Sequence, residues 1–381
     1  LKQTYLTKMS ALSLLLLAAL VGVFAPTAAT AAPAAGPYDA AVQKAAAWTL
    51  GQQQPDSSFP GFGVGSTADA IYGLTAAART PVAESGVLPL GFLAGKAKDY
   101  AKTPGAAAKL ILAQVAAGPA LDLHNFGGVD LLKVITDSYD AATGHYGKDV
   151  TGQALAILAL SATGKEVPGA ALNWLVGAQA ADGGWAFDGA KEAGKADTNT
   201  TGLVLQALAG HGNTRFIGGQ ALTYLHAQQN ADGGFAYQKA PDAASDSNST
   251  ALVIMGLRAA GENPAGASWR QGGKSPLDLL LSLQNTDGAF RYQAGQADDN
   301  AGATYQALPA LAGAVLPVRY SDYLANGQPT HLPGGTGGTG NPYPGMPATG
   351  AGADPLPVAL AILALALLAG GSRLRTRRVA R

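Results

Sequence analysis

Four stretches of this chain carry the same punctuation, and that repetition constrains the fold more than any other feature. They are Gln53-Gln-Pro-Asp56-Ser-Ser-Phe59, Gln179-Ala-Ala-Asp182-Gly-Gly-Trp185, Gln229-Asn-Ala-Asp232-Gly-Gly-Phe235 and Gln284-Asn-Thr-Asp287-Gly-Ala-Phe290. All read Gln-x-x-Asp-(Gly/Ser)-x-aromatic. A worn copy, Asp140-Ala-Ala-Thr143-Gly144-His-Tyr146, keeps the Gly and the aromatic. Counted from Thr143 through Asp182 and Asp232 to Asp287, the copies stand 39, 50 and 55 residues apart. The 87 residues from Asp56 to Thr143 leave room for one unit without the signature. Self-similarity at such a period marks a stacked or ring-shaped array.

Each unit places an amphipathic stretch before the motif and a more uniformly apolar one after it. Ala170–Gln179, Ala221–Gln229 and Pro276–Gln284 repeat apolar residues at three and four, which predicts helices. Thr67–Leu74, Thr151–Leu160, Thr201–Ala209 and Thr250–Leu257 are apolar on nearly every side, the pattern of a buried helix. The unsigned unit fits as Gly91–Ala101 and Gly105–Ala117. Six pairs result, amphipathic members outside and apolar members inside. Ala and Gly along the inner helices allow close approach, and no polar capping repeat is visible at either end, as an open array would need. The expected fold is all-α, an (α/α)6 toroid over residues 38–318.

Gln-x-x-Asp-Gly-x-Trp followed by Thr-x-Leu-Val-Leu-x-Ala-Leu resembles the prenyltransferase and squalene cyclase repeat family, over about residues 40–315. The resemblance implies a six-pair helical barrel. Its members include terpene cyclases, protein prenyltransferase β subunits, thioester complement domains and the α-domain of vitamin B12 carriers, and fold alone does not choose among them. The B12 carriers close their ligand under a second, β-rich domain that residues after 325 do not suggest.

The chemistry of those relatives is tested residue by residue. The cyclases protonate an alkene with Asp-x-Asp-Asp at the start of an inner helix. The corresponding positions here read Asp197-Thr-Asn199-Thr and Asp246-Ser-Asn248-Ser, with Asp298-Asp299-Asn300 in the last pair and Asp149 alone in the third. A solitary, solvated Asp with a pKa near 4 is a poor donor to a C=C bond. Zinc held through Cys, and a thioester built on Cys, are both closed to a chain with no Cys. Five scattered His residues offer no triad, and aromatics at 7% are sparse for a cavity that must stabilise carbocations.

Asp, Asn, Ser and Thr before an apolar helix are natural N-caps, and that reading competes with a functional one at Asp197, Asn199, Asp246, Asn248 and Asp299. On the functional reading, Asp149, Asp197, Asn199, Asp246, Asn248, Asp298 and Asp299 converge on one polar rim around an apolar funnel, a candidate ligand site. No cofactor is implied. A calcium ion on Asp and Asn oxygens stays an alternative without EF-hand spacing. The motif's own Asp-Gly-Gly-aromatic is expected to be a turn and a packing wedge.

Both ends read as addresses. Lys2 and Lys8, the apolar run Ala11–Phe24 and the small residues Ala29 and Ala31 outline a signal peptide over 1–32, with cleavage near Ala29-Thr-Ala31. Residues 326–350 are a Gly/Pro-rich spacer ending in Met346-Pro-Ala-Thr349-Gly350, followed by an apolar tail at 354–372 and a basic end at 373–381. This resembles the sorting signal of sortase-anchored proteins, with Met346 in place of Leu and cleavage expected between Thr349 and Gly350. The alternative is a plain membrane anchor held by its arginines. Lys plus Arg equals Asp plus Glu at 25 each, which argues against nucleic acid as a partner. The expectation is a secreted, surface-displayed toroid, anchored to cell wall or membrane, that binds a small-molecule, isoprenoid-like or glycan ligand without catalysis. A divergent terpene cyclase or polysaccharide-acting enzyme, and a structural spacer, are the alternatives.

Overall fold

In the computed structural model of the chain, residues 36–79, 88–118, 121–211 and 214–323 are described. The chain divides into residues 1–37 and a second unit beginning at Tyr38, and the fold below belongs to that unit. The signal segment at 1–32, the spacer and sorting motif at 326–350, the tail at 354–372 and the basic end at 373–381 lie outside the described residues. Among the described residues no helix is long and apolar enough to cross a membrane.

Helices come in consecutive pairs: α1 (Asp39–Gly51) with α2 (Val64–Ala76), α3 (Pro89–Tyr100) with α4 (Pro104–Ala117), and α5 (Leu131–Asp137) with α6 (Val150–Ala162). Then follow α7 (Gly169–Gly177) with α8 (Thr198–Leu208), α9 (Thr214–Gln228) with α10 (Ser247–Ala259), and α11 (Pro276–Ser282) with α12 (Ala301–Leu311). A two-residue hairpin, Tyr139–Asp140 with His145–Tyr146, occupies the worn motif copy. The unit expected without a signature is the α3–α4 pair.

The second helix of each pair is the inner one. Every residue of α6 except Ser161 is buried, whereas α1 buries only Val42, Ala45, Ala46 and Thr49. Inner helices start up to three residues earlier than the apolar pattern suggests, because Asp149, Asp197 and Asp246 sit at the N-cap and the polar residues after them form the first turn. Around the ring, α2, α4, α6, α8, α10 and α12 each pack on the next, and α12 packs on α2. Glycines permit the tightest crossings. A Cβ at Gly256 would lie 2.7 Å from the Gly202 Cα, and one at Gly105 would lie 3.0 Å from the Gly152 Cα.

The repeated motif is the joint of each unit. Its Asp receives the backbone N–H two residues on, from Ser58 to Asp56 (3.0 Å), from Gly234 to Asp232 (3.0 Å) and from Ala289 to Asp287 (3.1 Å). The aromatic donates its backbone N–H to the Thr of the inner helix, as Phe59 to Thr67, Trp185 to Thr201, Phe235 to Thr250 and Phe290 to Thr304, at 2.8–3.0 Å. Phe59, Trp185, Phe235 and Phe290 are all buried. The motif Gly abuts the backbone of the following unit: a Cβ at Gly183 would lie 2.6 Å from the Gln220 carbonyl oxygen. In the last unit, a Cβ at Gly288 would collide with the carbonyl of Lys44, in the first helix. The contact that joins neighbours therefore also joins the sixth unit to the first, and the toroid is closed.

Beyond α12 the chain turns across the end of the ring where the inner helices finish. Leu316 donates its N–H to Gln206 Oε1 (2.9 Å) and Arg319 donates through Nη1 to the Ala162 carbonyl (2.9 Å). Ala314 and Val318 are buried in this crossing. The short helix α13 (Tyr320–Tyr323) ends the described chain.

Candidate functional site

The inner helices enclose a cavity of about 180 Å³ along the toroid axis. Leu155, Leu203, Leu252 and Met255 form apolar wall, and Leu316 of the crossing segment closes the end at which the inner helices finish. Phe62, 48% exposed, stands beside the opposite opening, just before α2. The surroundings are mainly apolar with two polar groupings.

The first grouping holds charge. Asp69 of α2 and Lys109 of α4 form an ion pair, Nζ to Oδ1 2.8 Å and to Oδ2 2.9 Å. Burial alone would lower the Lys109 pKa, but the Asp69 carboxylate and the Tyr100 hydroxyl outweigh it and hold the ammonium above its ordinary value. Tyr72 donates to the Lys109 carbonyl oxygen (2.8 Å), and burial followed by the field of Asp69 raises its pKa. Tyr100 reaches in from the end of α3, its pKa raised by burial against the lowering pull of Lys109. Its hydroxyl is buried and has no hydrogen-bond partner among the described residues. A Cβ at Gly65 would sit 2.8 Å from that hydroxyl, so glycine there keeps the space open.

The second grouping is uncharged. Asn199 of α8 and Asn248 of α10 line the cavity from the first turns of their helices, with Tyr305 and Gln306 of α12 beside them. Asn248 Nδ2 donates to Gln306 Oε1 (2.8 Å), leaving Asn248 Oδ1 without a donor among the described residues. The Tyr305 hydroxyl is also buried and unpartnered among the described residues.

The residues expected at the rim divide between two roles. Asp149 accepts from the Gly152 N–H (2.6 Å), Asp197 from the Thr200 N–H (2.7 Å) and hydroxyl (2.8 Å), and Asp246 from the Ser249 N–H (2.7 Å) and hydroxyl (2.8 Å). They cap helices and do not line the cavity. Asn199 and Asn248, expected at the rim with capping as the competing reading, do line it. Asp298 and Asp299 are exposed; Asp299 accepts from Asn285 Nδ2 (2.7 Å), and Asn300 is the cap of α12, accepting from the Ala303 N–H (2.8 Å). Of the seven residues expected on one rim, Asn199 and Asn248 line the cavity and the five carboxylates do not.

A second correction concerns solvation. Asp197 and Asp246 are 1% and 2% exposed. Burial pushes both pKa values up to about 6 despite the hydrogen bonds that oppose it, which for Asp197 include one from the Tyr237 hydroxyl. Burial raises Asp149 as well. These are not the solvated carboxylates their polar sequence context suggests.

Asp69, Lys109, Tyr72, Tyr100, Tyr305 and Gln306 are the residues that sequence reasoning missed. The available signal was a single carboxylate in Thr67-Ala-Asp69-Ala-Ile and a single ammonium in Ala106-Ala-Ala-Lys109-Leu, each set in a helix otherwise apolar. Isolated charges in buried helices require partners. Among the described residues no group of His, Asp and Glu could hold a metal ion.

No protein-family model matches the sequence, and no curated protein sequence matches it. Solved structures do. The type II terpene cyclase MstE from Scytonema aligns with a TM-score of 0.51 at 13% identity, over 72% of this chain and 97% of the cyclase. A variant of the same enzyme, solved with its substrate geranylgeranyl dihydroxybenzoate, aligns at 0.50 and 13% identity, over 72% and 96%. A protein from Actinoplanes aligns at 0.52 and 14% identity, over 72% and 98%. The chain has a terpene cyclase-like helical fold.

Proposed function

We propose that this chain is a surface-displayed module that binds a small, largely apolar molecule in the central cavity and does not transform it. The observation that carries the reading is the identity of the cavity-facing groups at the helix starts. Asn199 and Asn248 are amides, which cannot supply the strong acid that alkene protonation requires. Asp69, which lines the cavity, is held in an ion pair with Lys109. An apolar cavity with a few polar groups suits recognition. An isoprenoid-like ligand is supported by the substrate held in the Scytonema cyclase structure. A volume of about 180 Å³ favours a compact molecule over a long polyprenyl chain, since pockets for larger ligands start at roughly 300 Å³.

Surface display rests on the signal-like segment at 1–32 and on the Pro347-Ala-Thr349-Gly350 signal with its apolar tail and arginines. A second reading, a divergent enzyme, is favoured by one observation: Asp197 and Asp246 retain protons to about pH 6. Their carboxyls are occupied in capping, which ranks that reading second.

Crystals of the full chain equilibrated with xenon test the binding reading. An apolar cavity open to small molecules takes up xenon. Xenon beside Leu155, Leu203 and Met255 is the expected result; a cavity that excludes both xenon and methylcyclohexane would overturn the proposal.

A further inference from the structure

Resting on the cavity reading above, we infer that ligands reach the cavity through the seam between the starts of α12 and α2, and that Phe62 sets which molecules pass.

The repeat covers its mouth unevenly. In the last three units a long loop separates the motif aromatic from the helix cap: eleven residues between Trp185 and Asp197, ten between Phe235 and Asp246, nine between Phe290 and Asn300. Each of these loops lies over the start of the preceding inner helix. Val150 donates its N–H to the Phe187 carbonyl (3.0 Å), Thr198 to that of Tyr237 (3.0 Å) and Ser247 to that of Tyr292 (2.9 Å). All three donors are fully buried. In the first unit only three residues separate Phe59 from the cap Gly63. Because the ring is closed, the helix start this short loop has to cover is that of α12. Ala301 and Gly302 accordingly stay partly exposed, as do Val64 and Gly65 of the neighbouring α2.

Phe62 stands in that gap. Its N–H donates to Ser66 Oγ (2.8 Å), which ties the loop to the first turn of α2. Gly63 follows at φ 91°, a conformation that side chains rarely adopt. The ring lies against α12: a Cβ at Gly302 would come 3.3 Å from Phe62 Cε2, so glycine there leaves the ring its place. The side chain lines the cavity and is still 48% exposed, so it borders void and solvent at once. Rotamers of exposed side chains exchange within nanoseconds, so a small apolar molecule can pass by turning one ring while the toroid stays shut. A broad one cannot. The walls that hold the occupant, Leu155, Leu203 and Met255, belong to other helices. Phe62 therefore acts on passage more than on affinity.

The test is exchange kinetics on the full chain with two probes of different cross-section, xenon and (trifluoromethyl)cyclohexane, read by xenon and fluorine NMR. Phe62→Ala is expected to speed entry and release of the broader probe together, by about tenfold, with Kd nearly unchanged. Phe62→Trp is expected to slow both by a similar factor, which a loosened fold would not do. Xenon should respond less in each variant. Leu121→Ala trims another exposed apolar side chain, one that does not line the cavity, and should leave the rates alone. Unchanged rates in both Phe62 variants, or weaker binding with entry unchanged, overturns the entry route and leaves the cavity reading standing. Failure of both probes to bind the wild type and the variants alike overturns the cavity reading itself, and the inference with it.

Discussion

Gly202 and Gly256 face each other where α8 crosses α10, so close that a Cβ on Gly256 would lie 2.7 Å from the Gly202 Cα. A methyl at either position must push two inner helices apart. Gly256→Ala is expected to destabilise the toroid by about 1–3 kcal/mol, the usual range for overpacking. Gly219, exposed in the interior of α9 with nothing among the described residues within 4 Å of its would-be Cβ, supplies the opposite sign. Gly219→Ala should stabilise by up to about 1 kcal/mol through helix propensity. Urea midpoints of the two variants measure both effects.

Removing half of the Asp69–Lys109 pair should be far worse than removing all of it. Their side chains are only 21% and 16% exposed, and a lone charge left there keeps its desolvation penalty without its partner. Lys109→Met and Asp69→Leu are each expected to cost on the order of 3 kcal/mol, and the double variant much less than the sum. A double-mutant cycle from denaturant unfolding checks this. Additive losses would mean that the pair does not couple.

Asp197 and Asp246 make stability depend on pH. An unperturbed Asp titrates near 3.8, whereas the folded carboxyls hold their protons to about 6. The native state therefore binds more protons between those values, and stability falls as pH rises through the window and levels off above it. The span corresponds to roughly 3 kcal/mol for each carboxyl. Asp197→Asn keeps a capping oxygen and removes the buried charge, so it should match the wild type near pH 4 and exceed its stability near pH 7. Unfolding curves across that range decide the point; a variant less stable than wild type at pH 7 would show that the carboxylate is a net stabiliser.

The ring was readable from the sequence because its joints are local. Gln-x-x-Asp-Gly-x-aromatic and the Thr that follows make their bonds within about sixteen residues, as Trp185 does with Thr201. Closure was readable from the Ala and Gly along the inner helices, and the last motif makes the joint: Gln284 donates to the Ala41 carbonyl at 2.9 Å, as Gln229 donates to that of Trp269 at 2.9 Å. The cavity was not readable. Lys109 meets Asp69 across 40 residues, and Asn248 meets Gln306 across 58. A single charge in an apolar helix announces that a partner exists without naming it. The burial of Asp197 and Asp246 was hidden for a similar reason. Backbone of the next unit covers each helix start, as where Thr198 donates its N–H to the Tyr237 carbonyl (3.0 Å) and Ser247 to that of Tyr292 (2.9 Å). A polar stretch such as Asp-Thr-Asn-Thr looks solvated until that neighbour is in place.

Anchoring makes its own prediction, on residues outside the toroid. If Thr349-Gly350 is cut by a sortase-like transpeptidase, Thr349→Ala should retain the tail and shift the protein out of the wall-linked fraction. Mass spectrometry of the mature C-terminus reads the outcome. A wild-type protein that still carries residues 354–372 would favour the plain anchor over sorting.

The claim that the toroid binds without transforming is met most directly by product analysis. The full chain, at pH 5 to 7, is incubated with squalene and with geranylgeranyl dihydroxybenzoate, and the extracts are resolved by mass spectrometry and chromatography. Both are expected to be recovered unchanged, from the wild type and from Asp197→Asn and Asp246→Asn alike. Cyclised product from the wild type, lost in Asp197→Asn by roughly two to four orders of magnitude but retained in Asp246→Asn, would contradict it and make the toroid an enzyme.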